Sequence, residues 1–474
     1  MAYSEAEQAR GQRAMILEGV FSRAMDGFTG GVLLAGFALS LGASDLEIGL
    51  LAAIPMLANV AHLPAVSLLH RFPDRRPLVV GGGATARLPL FVMAALPFLD
   101  LPVRPIDAML TLLVASAILA TLSGAGWQVW VRELVPRAKL GAYFGTRMIV
   151  LSVVGLVVLL VAGFAAPRVG YPAMFVLGGA CGLASCIVLS RAPSARSAWR
   201  EMPKWGASIR RPFHDANYRR VLLFLGAWGF AANLALPFVT VVLLRTMGYA
   251  LPLVAGLAAL SQVANIGGLR LWAPLTDRFG NKPVLGLSGA VFVLAMLSWA
   301  LVPKTPDVGA LVAIAAIHAL LGFALAGLDV ASNGLVMKLA PDDEIPAYLS
   351  SASLVKAVTA GVAPLLAGVA LTALGDRSFA VRFEWAGAAL TGFTIHAHEF
   401  LFLASVLLGL YALHRLLGFR EEGEAPPETV MRAMRRDVST PSSIAGIRAF
   451  AHLASYVVEA AYRFERALTP RDPG

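Results

Sequence analysis

Apolar stretches long enough to cross a bilayer recur from residue 15 to residue 417, separated by short polar breaks. A helix spanning the hydrocarbon core needs about 20 mostly apolar residues. Twelve segments qualify: roughly 15–40, 46–69, 77–99, 106–131, 145–166, 171–190, 219–243, 249–272, 283–302, 308–335, 347–373 and 396–417. In lipid every backbone polar group needs an internal partner, so only helices and closed barrels span. Barrel strands alternate in hydrophobicity over about ten residues, whereas these runs are continuous. The sequence therefore predicts an all-α membrane protein with twelve transmembrane helices. Composition agrees: 58% of the 474 residues are hydrophobic and 14% are charged, against about 25% charged in a soluble domain.

The net charge of +10 is positional rather than a nucleic-acid signal. Loops on one side, from Arg71 to Lys338, carry eighteen Lys and Arg residues, and the opposite loops carry six. The positive-inside rule then places both termini in the cytoplasm. Cys181 and Cys186 share one apolar segment and read as small core residues. The chain shows no Walker-type phosphate loop, no H-E-x-x-H and no His/Cys cluster, so neither enzyme chemistry nor a cofactor is expected. The stretch after Arg13 is too long for a signal-peptide core and reads as a retained first span.

Comparison of the chain with itself shows a repeat. Leu51 to Leu63 (LAAIPMLANVAHL) matches Leu257 to Leu269 (LAALSQVANIGGL) at six of thirteen positions, at an offset of 206, including Asn59 with Asn265. HRFPDRRPLV at 70–79 faces DRFGNKPVL at 277–285, and VRELVPRAKLGAYFG at 131–145 faces VMKLAPDDEIPAYLS at 336–350. VAGFA at 161–165 likewise faces LAGVA at 366–370, and four matches in order at nearly one offset indicate a duplicated six-helix unit. An even number of spans per copy makes the copies parallel. The expected organisation is a bundle over 1–190, a basic proline-punctuated linker over 191–218, a second bundle over 219–418 and a tail over 419–474. The tail offers an amphipathic stretch, from Ile444 to Leu468, suited to an anionic leaflet.

With these features, residues 15–418 resemble a major facilitator superfamily transporter. That family carries G-x-x-x-D-R-x-G-R-R after the second helix and a weaker copy after the eighth. The second copy here is the fuller one, with Ala273, Asp277, Arg278, Gly280 and Lys282. The first keeps Arg71, Arg75 and Arg76, with His70 and Pro73 in place of the acid and the glycine. The resemblance implies a cytoplasmic gate at these residues, a cavity lined by helices 1, 4, 7 and 10, and a monomeric protein.

Ionisable groups inside a span are expensive and mark site hypotheses. Arg23 and Asp26 lie three apart on the first helix and share a face. Asp329 and Asn333 lie one turn apart on the tenth, and Lys356 sits at matching depth on the eleventh. Gln128, Asn233, Gln262 and Asn265 add polar groups on the fourth, seventh and eighth helices, where an interhelical hydrogen bond is the plainer reading of an amide. Asp26 or Asp329 is a candidate proton carrier. The expected function is secondary active transport of a small solute, coupled to an ion or proton. The alternative is a transporter-like scaffold, sensor or assembly factor.

Overall fold

This computed structural model of the chain describes residues 3–62, 74, 76–136, 140–193, 205–303, 307–341, 344–375, 377–385 and 388–423. Its helices are α1 (Glu5–Thr29), α2 (Gly31–Ser40), α3 (Asp45–Ala58), α4 (Gly82–Ala95), α5 (Pro105–Leu134), α6 (Leu140–Ser190), α7 (Trp205–His214), α8 (Ala216–Val241), α9 (Leu251–Phe279), α10 (Asn281–Leu301), α11 (Val308–Leu339), α12 (Ile345–Leu374) and α13 (Ala397–Leu416). Among the described residues nine helices are long and apolar enough to cross a membrane. The one covering 143–190 counts twice. Fifty-one residues in α6 would run about 76 Å if straight, more than twice the hydrocarbon thickness. The helix reverses at Gly170, whose φ of 85° suits a residue without a Cβ. α1 with α2 supplies the first span and α3 begins the second. Both miss the criterion for visible reasons: Glu18, Arg23 and Asp26 lower the hydropathy of α1, and α3 is short.

The first span breaks at Gly30, where the backbone is extended (φ −118°, ψ −178°). Ser4 and Glu7 form a capping box that starts α1, and Ser44 with Glu47 starts α3 in the same way. Each box satisfies orphan N–H groups at its helix start.

The repeat is visible in the starts of the helices. Asp45 and Leu251 begin spans 2 and 8, Pro105 and Val308 spans 4 and 10, and Leu140 and Ile345 spans 5 and 11. It extends to single bonds. The Tyr143 hydroxyl donates to the Gln12 carbonyl on the first span (3.3 Å). Its counterpart Tyr348 donates to Asp215, the N-cap of the seventh (3.2 Å).

Two features depart from the sequence reading. The linker contains the short helix α7, joined to the second half by an Arg211–Glu344 ion pair. Residues 379–395, expected as a plain loop, form an antiparallel hairpin of β1 (Phe379–Trp385) and β2 (Ala388–Ile395), with a register shift between Val381 and Phe383. FAVRFEW and AALTGFTI are rich in aromatic and β-branched residues, which favour strands. The hairpin lies between spans and leaves the membrane architecture all-helical. The amphipathic stretch of the tail lies outside the described residues.

The halves pack at one end. Gly49 of α3 lies against the Pro364 carbonyl of α12, Gly368 against the Asp45 carbonyl, and Gly163 of α6 against Ala255 of α9. The cluster around Phe37, Ile48 and Leu51 also includes Phe238, Ala367 and Leu401 from the second half. At the other end, where the chain begins, the cluster of Met15, Trp130, Leu134, Tyr143 and Leu189 is built from the first half alone. Among the described residues these contacts close the end remote from Glu5, while the cluster at the end that carries Glu5 is drawn from the first half alone.

Candidate functional site

The second half carries a polar cluster on its membrane-spanning helices. Asp329 and Asn333 are one turn apart on α11, and both are exposed. The Lys356 ammonium, from α12, donates to Asn333 Oδ1 (3.3 Å), and its charge also acts on Asp329. Asp329 lies ten residues from the end of α11 at Leu339 and Lys356 eleven from the start of α12 at Ile345. Those separations are about 15 and 17 Å, near the middle of a 30 Å hydrocarbon core. The two residues therefore lie at similar distances from the helix ends that residues 340–344 join. Charged side chains persist at such depth when they pair with one another or face a water-filled cavity, and here Lys356 lies within the electrostatic reach of Asp329 and bonds Asn333.

The other second-half amides divide. Asn265 Nδ2 donates across to the Gly322 carbonyl (3.2 Å), tying α9 to α11 at a crossing reinforced by Trp272 Nε1 donating to the Phe323 carbonyl (2.9 Å). It has the structural role considered for it. Asn233 donates within its own helix, to the Gly229 carbonyl (2.8 Å). Gln262 is half-buried on α9, one turn from Asn265.

In the first half, Asp26 and Gln128 are exposed and Arg23 is half-buried. Arg23 and Asp26 do not close into an ion pair: the Arg23 guanidinium lies against Gly155 of α6. Arg23 and Arg87 both act electrostatically on Asp26. Gln128 lies beside His62 at the end of the described second span.

Two cations were overlooked in the sequence. Arg87 donates to the Gly83 carbonyl (2.7 Å) and packs against Met25 and Gly182. Arg147 pairs with buried Glu18 (3.4 Å) and stacks on Trp127, with Cζ 4.5 Å from the ring centroid. Each is the lone ionisable residue of a long apolar run, 77–99 and 145–166. The rule that singled out Asp26 and Asp329 would have found both.

The gate motif is partly visible. Arg71 and Arg75 lie outside the described residues, and the Arg76 amide donates to Asp74 (3.0 Å). In the second copy Asp277 and Arg278 are exposed, and Gly280 turns the chain between spans 8 and 9 with a φ of 90°, a region open to glycine. The Lys282 ammonium donates to the Phe419 carbonyl (2.8 Å). The centre of this end is Glu421, which the sequence reading did not single out. Its carboxylate accepts from the amides of Asn281 (3.1 Å) and Lys282 (2.7 Å), and from Asn281 Nδ2 and Lys338 Nζ (both 2.9 Å). Burial alone would raise its pKa, but these donors hold the carboxyl below the usual range.

Comparison with known proteins follows the same line. The Major Facilitator Superfamily model matches residues 17–317 and 258–461. No curated protein matches the sequence. Among solved structures, the nucleoside transporter NupG superposes with a TM-score of 0.66 at 12% identity, covering 86% of this chain and 98% of that one. A D-xylose–proton symporter gives 0.62 at 15% identity, covering 88% and 99%. A bacterial homologue of the iron transporter ferroportin, in an inward-facing state, gives 0.60 at 15% identity, also covering 88% and 99%. At these identities the likeness is one of fold.

Proposed function

This chain belongs to the major facilitator superfamily, and from that premise we propose that it carries a small solute across the cytoplasmic membrane by alternating access, coupled to protons. Secondary transport is the business of the family. Solute binding is assigned to polar groups of both halves: Arg23, Asp26 and Gln128 in the first, and Asp329, Asn333 and Lys356 in the second. The observation that carries the reading is the Asp329–Asn333–Lys356 group, a charged cluster set well inside two apolar membrane-spanning helices of the second half. The basic loops put both termini on the cytoplasmic side in this reading, so the end that carries Glu5 is the cytoplasmic one.

Coupling follows from the same group. With Asp329 ionised, Lys356 is balanced. With Asp329 protonated, Lys356 holds an unmatched charge whose cost depends on whether the cavity is wet. Rocking of the two bundles, about 1–190 and 219–418, changes that wetting and so couples protonation to exposure. Closure of the cytoplasmic end in the alternate state is assigned to the gate motif, to Asp277, Arg278, Gly280 and Lys282 of the second copy and to Arg71, Arg75 and Arg76 of the first. The protein works as a monomer in the lipid bilayer.

The test is a thermal-shift screen of the purified protein in detergent, against a broad solute panel at two pH values. A solute at about 100 times its dissociation constant stabilises by roughly 2.7 kcal/mol. A hit that is lost in Asp329→Asn or Lys356→Gln, and that accumulates in proteoliposomes under a proton gradient, supports the reading. A blank across the panel on folded protein would shift the weight to a transporter-like scaffold.

A further inference from the structure

A cleft of about 400 Å³ opens at the Glu5-bearing end of the second half, between the start of α8 and the end of α13. Its lining is Arg220, His414, Arg415, Leu417 and Gly418. Three of these five residues have side chains that donate hydrogen bonds, and two carry permanent positive charge. None is a carboxylate. Two nearby acids are committed elsewhere: Asp215 accepts from the amides of Asn217 and Tyr218 and from the Tyr348 hydroxyl, and Glu421 is held by Asn281, Lys282 and Lys338; Glu422, next along the chain, is exposed and is not among the lining residues. One Arg220 nitrogen is fixed by the Gly418 carbonyl (2.9 Å), which leaves its other donors available. The Arg415 guanidinium lies 5.9 Å from the Tyr411 ring centroid.

The surface below the cleft is apolar. Leu223 lies one helical turn deeper than Arg220, and Leu407, Leu410 and Tyr411 lie one and two turns deeper than His414. All four are exposed, and at this depth their solvent is lipid. A cationic cleft at the membrane rim, continuous with an acyl-facing strip, is complementary to one kind of molecule. We propose that Arg220, His414 and Arg415 bind the phosphate of an anionic phospholipid from the leaflet at this end, with its chains along Leu223, Leu407 and Leu410. Anionic head groups gather at basic pockets between transmembrane helices for the same electrostatic reason. The site is separate from the central cavity and does not depend on the transport reading. It joins spans 7 and 12, so its occupancy staples the first helix of the second half to the last.

The experiment uses the full-length protein, purified and delipidated in detergent. Melting is followed during titration with phosphatidylglycerol, phosphatidylcholine or glycerol 3-phosphate, and bound phospholipid is counted by native mass spectrometry. Saturable stabilisation by phosphatidylglycerol alone is expected. Its apparent affinity should fall about tenfold in Arg415→Gln and in His414→Gln, with melting in the absence of lipid unchanged. Arg220→Gln serves as a third variant, because it also loses the bond to Gly418. Equal stabilisation by phosphatidylcholine would overturn the charge argument. Equal stabilisation by glycerol 3-phosphate would overturn the lipid assignment in favour of a free phosphate site. Undiminished phosphatidylglycerol binding in the variants, or no stabilisation by any probe, would place the lipid elsewhere and overturn the proposal.

Discussion

Asp45, in the first turn of the second span, is ion-paired across the gap between the halves to Arg245, at the end of the seventh. His398 Nε2, from the twelfth span, approaches the same carboxylate oxygen (3.8 Å). The closed end is thus fastened by one acid of the first half and two bases of the second. The pair is partly exposed, at 39% and 20% of its side chains, so its worth is that of a screened ion pair, about 0.2–1 kcal/mol. Asp45→Asn should shift the equilibrium toward opening at this end by up to about fivefold, and Arg245→Gln by less, because His398 remains. Spin-label distances across the closed end measure the shift. The reversed pair, Asp45→Arg with Arg245→Asp, should recover most of it.

Glu421 gives a stability prediction with a defined pH sign. Its carboxylate is buried and satisfied by four donors. Glu421→Ala leaves the amides that start α10 and the Lys338 ammonium without their acceptor, which costs about 3 kcal/mol. The melting temperature in detergent should fall accordingly. Because the folded-state pKa lies below the ordinary value, this contribution is fully present above the unfolded value of about 4.3. It is lost as pH falls through the folded value. The gap between the native protein and Glu421→Ala should therefore be constant from pH 7 to about 5 and close below about 4.

What was legible in the sequence was whatever the bilayer forces a chain to write down. Span count, the duplication and the matched depth of Asp329 and Lys356 follow from hydropathy and offset alone. What was not legible depends on how helices lean. Arg23 and Asp26 share a face, yet Arg23 rests on Gly155 of another span. That contact has no sequence signature. Asn265 stood among four amides with the same plain reading, and only the crossing of α9 and α11 gives it the bond across helices that Asn233 lacks. Glu421 stands outside the last span in an acidic run that resembles any solvated tail. Its burial arises because the chain folds back onto the start of α10. Arg87 and Arg147 were readable, and the basic count was taken over the loops instead.

The division among the amides is testable by separating binding from stability. Asp329→Asn removes the charge opposite Lys356 and leaves helix packing intact, so it should abolish proton-driven uptake in proteoliposomes with little change in melting. Asn265→Ala removes an interhelical hydrogen bond, worth about 0.6 kcal/mol and at most about 1.7. It should lower the melting temperature and leave solute affinity near that of the native protein. Loss of affinity in Asn265→Ala, with melting unchanged, would place this amide in the binding site and remove the structural role assigned to it.

Two glycines make the same steric contact with opposite expected consequences. A Cβ on Gly322 of α11 would lie 1.9 Å from the Ser261 carbonyl oxygen of α9, and one on Gly49 of α3 would lie 2.3 Å from the Pro364 carbonyl oxygen of α12. Both neighbours are backbone, so relief requires a helix to move. Overpacking of this kind costs about 1–3 kcal/mol or more. Gly322 and Ser261 belong to one half, whose interior is close-packed and has no alternative arrangement. Gly322→Ala should therefore reduce the yield of folded protein and its melting temperature. Gly49 and Pro364 belong to different halves, and alternating access already separates them. Gly49→Ala should leave each bundle folded and wedge the closed end apart, populating the outward-open state. The readout is labelling from outside of a cysteine placed at Asn333, which should be faster in Gly49→Ala than in the unsubstituted background. Equal labelling with a lowered melting temperature would mean that the contact between α3 and α12 is a fixed part of the fold, and the rocking motion would then need another hinge line.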